Sequence, residues 1–153
     1  MRRRDTRVDS HLRALSRLPL LAGSSGRELS AIARNSTFID RPSGHVFARE
    51  GARCDEFIVL VSGSVAVVRD GRPDEFMGAG EWWGDAELLA GTRSSSMVIA
   101  LTDVECLVMS RNEFLGLFDD APAMRRRIVR SLANAARAPD RVRRPALLVE
   151  QGA

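Results

Sequence analysis

Residues 80–98 read GEWWGDAELLAGTRSSSMV and hold the side chains best suited to chemistry. Gly84 permits a sharp turn out of a strand, and residues 85–89 can then form a single helical turn through Asp85, Ala86 and Glu87. The first N–H groups of such a turn have no intrahelical partner and point outward, which makes a nest for an anion. Arg93 follows a second glycine, Gly91, and can fold back over that nest; its planar guanidinium suits bidentate contact with phosphate oxygens. Ser94 and Ser95 add hydroxyl and backbone donors. Asp85 would repel a bare phosphate but can accept a hydrogen bond from a sugar hydroxyl. An acceptor for a ribose beside donors for a phosphate describes a nucleotide monophosphate site. The same residues also fit an ordinary turn carrying solvated charges, and spacing alone does not choose between the two.

Other chemistries lack their residues. Cys54 and Cys106 lie far apart and outside any Cys-x-x-Cys spacing, and His11 and His45 form neither His-x-His nor His-Glu-x-x-His. That excludes the common zinc patterns and a disulfide scaffold, and both thiols read as small apolar residues. No nucleophile–base pair stands out, so no catalytic or metal-ligating residue is assigned and an enzyme is not expected.

The elements that must position residues 84–95 follow from periodicity. Val8, Leu12, Leu15 and Leu18 share a helical face that Pro19 ends, and Ser25-x-x-Glu28 reads as a capping box opening a second helix with Leu29, Ile32 and Ala33 on its apolar side. From Thr37 onward the pattern changes to short strands punctuated by glycine, over 45–49, 56–62, 65–69, 75–77, 96–101 and 105–109. Ser62-Gly63-Ser64 and Asp70-Gly71 read as hairpin turns. Short strands at regular spacing predict a sandwich, jelly roll or small barrel. Helix returns at Ser110-x-x-Glu113, a second capping box, and again near Pro122, with Met124, Ile128 and Leu132 on one face until Pro139. The order is helices, β-roll, helices.

The chain has 153 residues, enough for one domain with a real core. It is 44% hydrophobic with 5% aromatic residues, so aliphatic side chains must fill that core. Every one of its 23 basic residues is arginine. Residues 1–17 carry a net +4 and residues 121–153 a net +6, which leaves −7 on 18–120. An acidic body with basic ends is a poor general surface for nucleic acid. No apolar run approaches the ~20 residues of a membrane span, and the arginines at 13 and 17 interrupt any secretory leader. The expected location is cytoplasmic.

Taken together, residues 11–138 resemble the cyclic nucleotide-binding domain family, which includes catabolite activator proteins, protein kinase A regulatory subunits and gated channels. The resemblance rests on RPSGHVFAREG at 41–51, FIVLVSGSVAVV at 57–68, and GAGEWWG at 78–84 leading into the phosphate-binding cassette. It implies a mainly β fold, an eight-stranded β-roll (jelly-roll-like) with flanking N- and C-terminal helices. The implied division is a basic arm at 1–10, helices at 11–35, the β-roll at 36–110, C-terminal helices at 111–138 and a flexible tail at 139–153.

The resemblance further implies a non-enzymatic sensor that binds cyclic AMP or cyclic GMP through Gly84, Asp85, Ala86, Glu87, Arg93, Ser94 and Ser95. In that assignment Arg93 meets the cyclic phosphate and Asp85 the ribose hydroxyl. Asp85 stands where the family has Glu, one methylene (~1.5 Å) longer, and Glu87 stands where the family has a small residue beside the phosphate. Those two departures support the alternative, a degenerate domain that no longer binds cyclic nucleotide and serves as a dimerisation or protein-interaction scaffold. The last helix offers a homodimer seam, signalling would run through the C-terminal helices to a downstream protein, and with no helix-turn-helix pattern after Pro139 specific DNA binding is not expected.

Overall fold

The structure, a computed structural model, describes residues 2–137. Helix α1 spans Arg2–Ser16, a single 3-10 turn covers Pro19–Leu21, and α2 spans Gly26–Arg34. Eight strands follow: β1 Thr37–Arg41, β2 Val46–Ala48, β3 Glu56–Ser62, β4 Val65–Arg69, β5 Arg72–Met77, β6 Trp82–Trp83, β7 Met97–Ala100 and β8 Val104–Ser110. Helix α3, Asp85–Ala90, interrupts the strands between β6 and β7, and α4 (Arg111–Asp120) and α5 (Pro122–Arg137) close the described chain. The strands form two antiparallel sheets of four, ordered β1-β8-β3-β6 and β2-β7-β4-β5. This is the expected β-roll with flanking helices.

Strand β3 shows why the two sheets and the helices hold together. Its run Phe-Ile-Val-Leu at 57–60 is buried throughout because both faces are covered. Phe57 and Val59 pack with Leu15, Ile32, Phe114, Met124 and Ile128 of the helices. Ile58 and Leu60 point the other way, into the space between the sheets, with Val65, Val67, Met77, Val98 and Cys106. Phe57 stacks on Phe114 at 4.5 Å between ring centroids, which fixes α4 against the sheet.

The turns divide into one hairpin and one corner. Asp70 and Gly71 both adopt positive φ, 52° and 72°, between paired β4 and β5, as a two-residue hairpin requires. The Ser62-Gly63-Ser64 turn joins strands of different sheets, so it is a corner rather than the expected hairpin. Gly63 is needed there for closeness as well as for its φ of 90°: a Cβ would lie 2.5 Å from the carbonyl oxygen of Asp103 on the adjoining corner.

Two local expectations change. Helix α1 begins at Arg2, so residues 2–10 of the segment expected as a basic arm are helical and continuous with residues 11–16. The box at Ser110 is reciprocal, but the one at Ser25 is half of one: Ser25 Oγ accepts from the Glu28 N–H at 3.1 Å, while the Glu28 carboxylate accepts from the Ala123 N–H of α5 at 3.4 Å. Glu28 therefore ties the N-terminal helices to the C-terminal one. Pro139 and the tail expected at 139–153 lie outside the described residues.

Candidate functional site

The turn at Gly84 is dictated by crowding. Strand β6 pairs with β3 through Ile58↔Trp83 and Val59↔Trp82, and the chain then leaves the sheet with Gly84 at φ 94°. A Cβ there would sit 2.4 Å from the Glu56 carbonyl oxygen, so no side chain fits. Helix α3 follows for six residues, anchored by buried Leu88 in the helical core and ended by Gly91.

Asp85 is 7% exposed, and its Oδ2 accepts from the Trp82 indole Nε1 at 3.3 Å. The half-buried Glu87 accepts at Oε1 from the Ser95 hydroxyl at 3.2 Å. Residues 93–95 are held by the loop that precedes β3. The Ser94 N–H donates to Ala52 O and the Gly51 N–H to Ser94 O, both at 2.8 Å, and the Arg93 guanidinium donates to Gly51 O at 3.1 Å.

An open cleft of about 1810 Å³ runs between these segments and the inner sheet face. Six of the seven residues expected from the sequence line it together: Gly84, Asp85, Ala86, Glu87, Ser94 and Ser95. Arg93 does not line it. Its neighbour Ser94 is buried on the cleft wall, whereas Arg93 is exposed and its guanidinium donates to the Gly51 carbonyl. The expected guanidinium over the cassette is therefore absent from its wall.

The cleft has walls that the sequence reading left out. Arg127, Arg130, Ser131 and Asn134 of α5 face it, a polar stripe at helical spacing that the sequence does display. Arg53, Cys54, Arg69 and Glu75 come from the loop before β3 and from β4 and β5; nothing local in sequence marks them, because only the sheet pairing brings them there. Most of these arginines are engaged. Arg53 pairs with Asp55 at 2.8 Å, Arg69 with Asp74, and Arg127 donates to the carbonyls of Leu20 (3.2 Å) and Ala22. Arg130 is exposed on α5, outside the cassette.

Carboxylates set the character of the cassette wall. The Cys54 thiol is pushed up from its ordinary value, chiefly by burial and further by the carboxylates of Glu87 and Asp55. Its Sγ lies 3.7 Å from Glu56 O and 3.9 Å from Gly84 O. Among the described residues no group of three or more His, Cys, Asp and Glu could hold a metal ion, and no helix is long and apolar enough to cross a membrane.

Comparison with known proteins agrees with this architecture. The cyclic nucleotide-binding domain family matches residues 39–121. An uncharacterised protein of Mycobacterium tuberculosis is 38% identical over 93 residues, 61% of this chain and 16% of that protein. The CRP-like cAMP-activated global transcriptional regulator of the same organism is 25% identical over 128 residues, 80% of this chain and 57% of the regulator. The chain thus spans only part of the length of these relatives. Among solved structures, the regulatory subunit of a cAMP-independent protein kinase A from Trypanosoma brucei superposes with a TM-score of 0.74 at 21% identity, over 83% of this chain and 46% of that one. A variant of that subunit, with a TM-score of 0.70 at 22% identity over 80% of this chain and 47% of that one, is bound to cAMP in its A site. It carries alanine for a glutamate, arginine for a threonine seven residues on, and alanine for the valine that follows.

Proposed function

The chain belongs to the cyclic nucleotide-binding domain family, and on that premise we propose that it is a regulatory module whose ligand, a cyclic nucleotide (cAMP or cGMP), enters the cleft between the cassette and α5. The family's fold is regulatory rather than catalytic, and no catalytic role is assigned here. The observation that carries the reading is that Gly84, Asp85, Ala86, Glu87, Ser94 and Ser95 line one cleft with Arg127, Ser131 and Asn134 of α5. A ligand in that cleft touches the cassette and the last helix at once. It shifts α5 if it binds one helix position better than the other, which is the requirement for any such switch.

In this reading the ribose hydroxyl meets Asp85, and the Ser94 and Ser95 hydroxyls with a backbone N–H near Ala86 meet the phosphate. The hold is weak. Losing one charge-assisted hydrogen bond costs about 1.5–3 kcal/mol, on the order of ten- to a hundredfold in affinity, and Arg93 faces away from the cleft. The signal passes through α4 and α5 to a downstream protein, with α5 available as a homodimer seam, and the setting is cytoplasmic.

A second reading has its own support. The replaced glutamate, threonine and valine of the Trypanosoma subunit are spaced as Glu87, Ser94 and Ser95 are here, and that subunit belongs to a cAMP-independent kinase. Such a cassette suits a scaffold that has dropped the cyclic nucleotide.

Isothermal titration of the full chain with cAMP and, separately, cGMP up to millimolar ligand decides between them. Saturable binding is the expected result and identifies the preferred purine. Silence from both nucleotides assigns the scaffold, and the search then turns to what α5 touches.

A further inference from the structure

We propose that the register of a single arginine, together with Glu87, sets how strongly this cleft accepts an anionic phosphodiester. The inference rests on the cleft being the cyclic nucleotide site.

The backbone around residues 93–96 supports it. Ser94 is paired on both backbone sides with the 51–52 loop, and its side chain is buried on the cleft wall. Arg93, one residue earlier, is exposed and spends a donor on the Gly51 carbonyl. Ser94, Ser95 and Ser96 line the cleft and Arg93 does not, so a one-residue offset decides whether a guanidinium at this point faces ligand or solvent. The Arg53↔Arg93 bridge and the two Ser94 backbone hydrogen bonds to residues 51–52 hold that offset, and the β4–β7 pairing at Val67↔Val98 holds the strand that follows.

Glu87 acts in the same direction. Its carboxylate accepts the Ser95 hydroxyl, a donor that a bound phosphate would otherwise use. It also brings negative charge to a wall that already holds Asp85. Of the other cleft-lining arginines, Arg53, Arg69 and Arg127 are committed to Asp55, Asp74 and two backbone carbonyls, which leaves Arg130, exposed on α5 and outside the cassette.

The test moves the arginine without changing composition or net charge. The transposed variant Arg93→Ser/Ser94→Arg is titrated with cAMP and cGMP beside wild type and Arg93→Ser alone, with circular dichroism and Tm confirming that each is folded. Ser94 lines an open cleft, so an arginine there has room to extend. The transposed variant should bind on the order of ten- to a hundredfold more tightly than wild type, while Arg93→Ser alone leaves the affinity where it was. Adding Glu87→Ala should tighten it again, and added salt should shrink the gain.

If wild type binds measurably and the folded transposed variant binds no tighter, the register inference is wrong while the cleft remains the nucleotide site. If the transposed variant binds and wild type is silent, the inference stands and the native chain is a scaffold. If no variant binds either nucleotide, both the inference and the cleft assignment fall.

Discussion

Two independent constraints meet at residue 84. The backbone is left-handed there, with φ 94°, and the Glu56 carbonyl oxygen occupies the place of a Cβ at 2.4 Å. Gly91, at the other end of α3, shares only the first constraint, with φ 69° and nothing within 4 Å of an added Cβ. The pair separates conformational strain from collision. Gly91→Ala should cost about 1–2 kcal/mol, the penalty of a left-handed residue. Gly84→Ala should cost distinctly more, because β3 or α3 must shift as well. Urea unfolding with unchanged m-values checks the ranking, and equal losses would mean that the backbone at 84 gives way freely. Residue types in the cassette were legible from sequence, and six of seven expected side chains share the cleft. The side on which Arg93 lies was not legible, because it depends on pairing with residues 51–53, some forty positions away.

Helix α5 depends on ties that no single helix discloses. The Arg127 guanidinium donates to the Leu20 and Ala22 carbonyls at the exit of the 3-10 turn, and Glu28 of α2 receives the Ala123 N–H. With Met124 and Ile128 buried beneath, these contacts join the cleft's helical wall to the N-terminal helices. Arg127→Met keeps the apolar stem and removes the donors. It should cost about 1–3 kcal/mol, and hydrogen exchange should rise in α5 while β3 and β8 stay protected. A uniform rise across the β-roll would instead make Arg127 a general stability residue with no particular hold on α5. Helix starts at Ser25 and Ser110 could be read locally because a cap needs residues only three apart. The partner of Glu28 could not, since it lies 95 positions away. The same distance in sequence hides the sheet order, where β1 joins β8 and β3 joins β6.

At the scale of the whole molecule, the absence of lysine and tyrosine from the 153 residues makes the response to alkali unusually simple. Arginine stays protonated beyond pH 12, so between pH 9 and 12 the side chains able to lose a proton are those of Cys54 and Cys106. Cys106 lies at 0% exposure between the sheets, and burial pushes its thiol from the ordinary 9.0 up to about 12; Cys54 is raised as well. The unfolded chain therefore releases these protons before the folded one does. Above pH 9 the unfolded state holds fewer protons, so stability falls as pH rises. The slope is at most about 1.4 kcal/mol per pH unit for each thiol, until the folded form ionises in turn. Cys106→Val, close in volume and without a titrating group, should lower the slope between pH 9 and 11 to what Cys54 alone supplies. Urea unfolding at steps across that range measures it. An unchanged slope would mean that the folded protein ionises Cys106 as readily as the unfolded chain, which requires the two sheets to part around it well below the pH at which the protein unfolds.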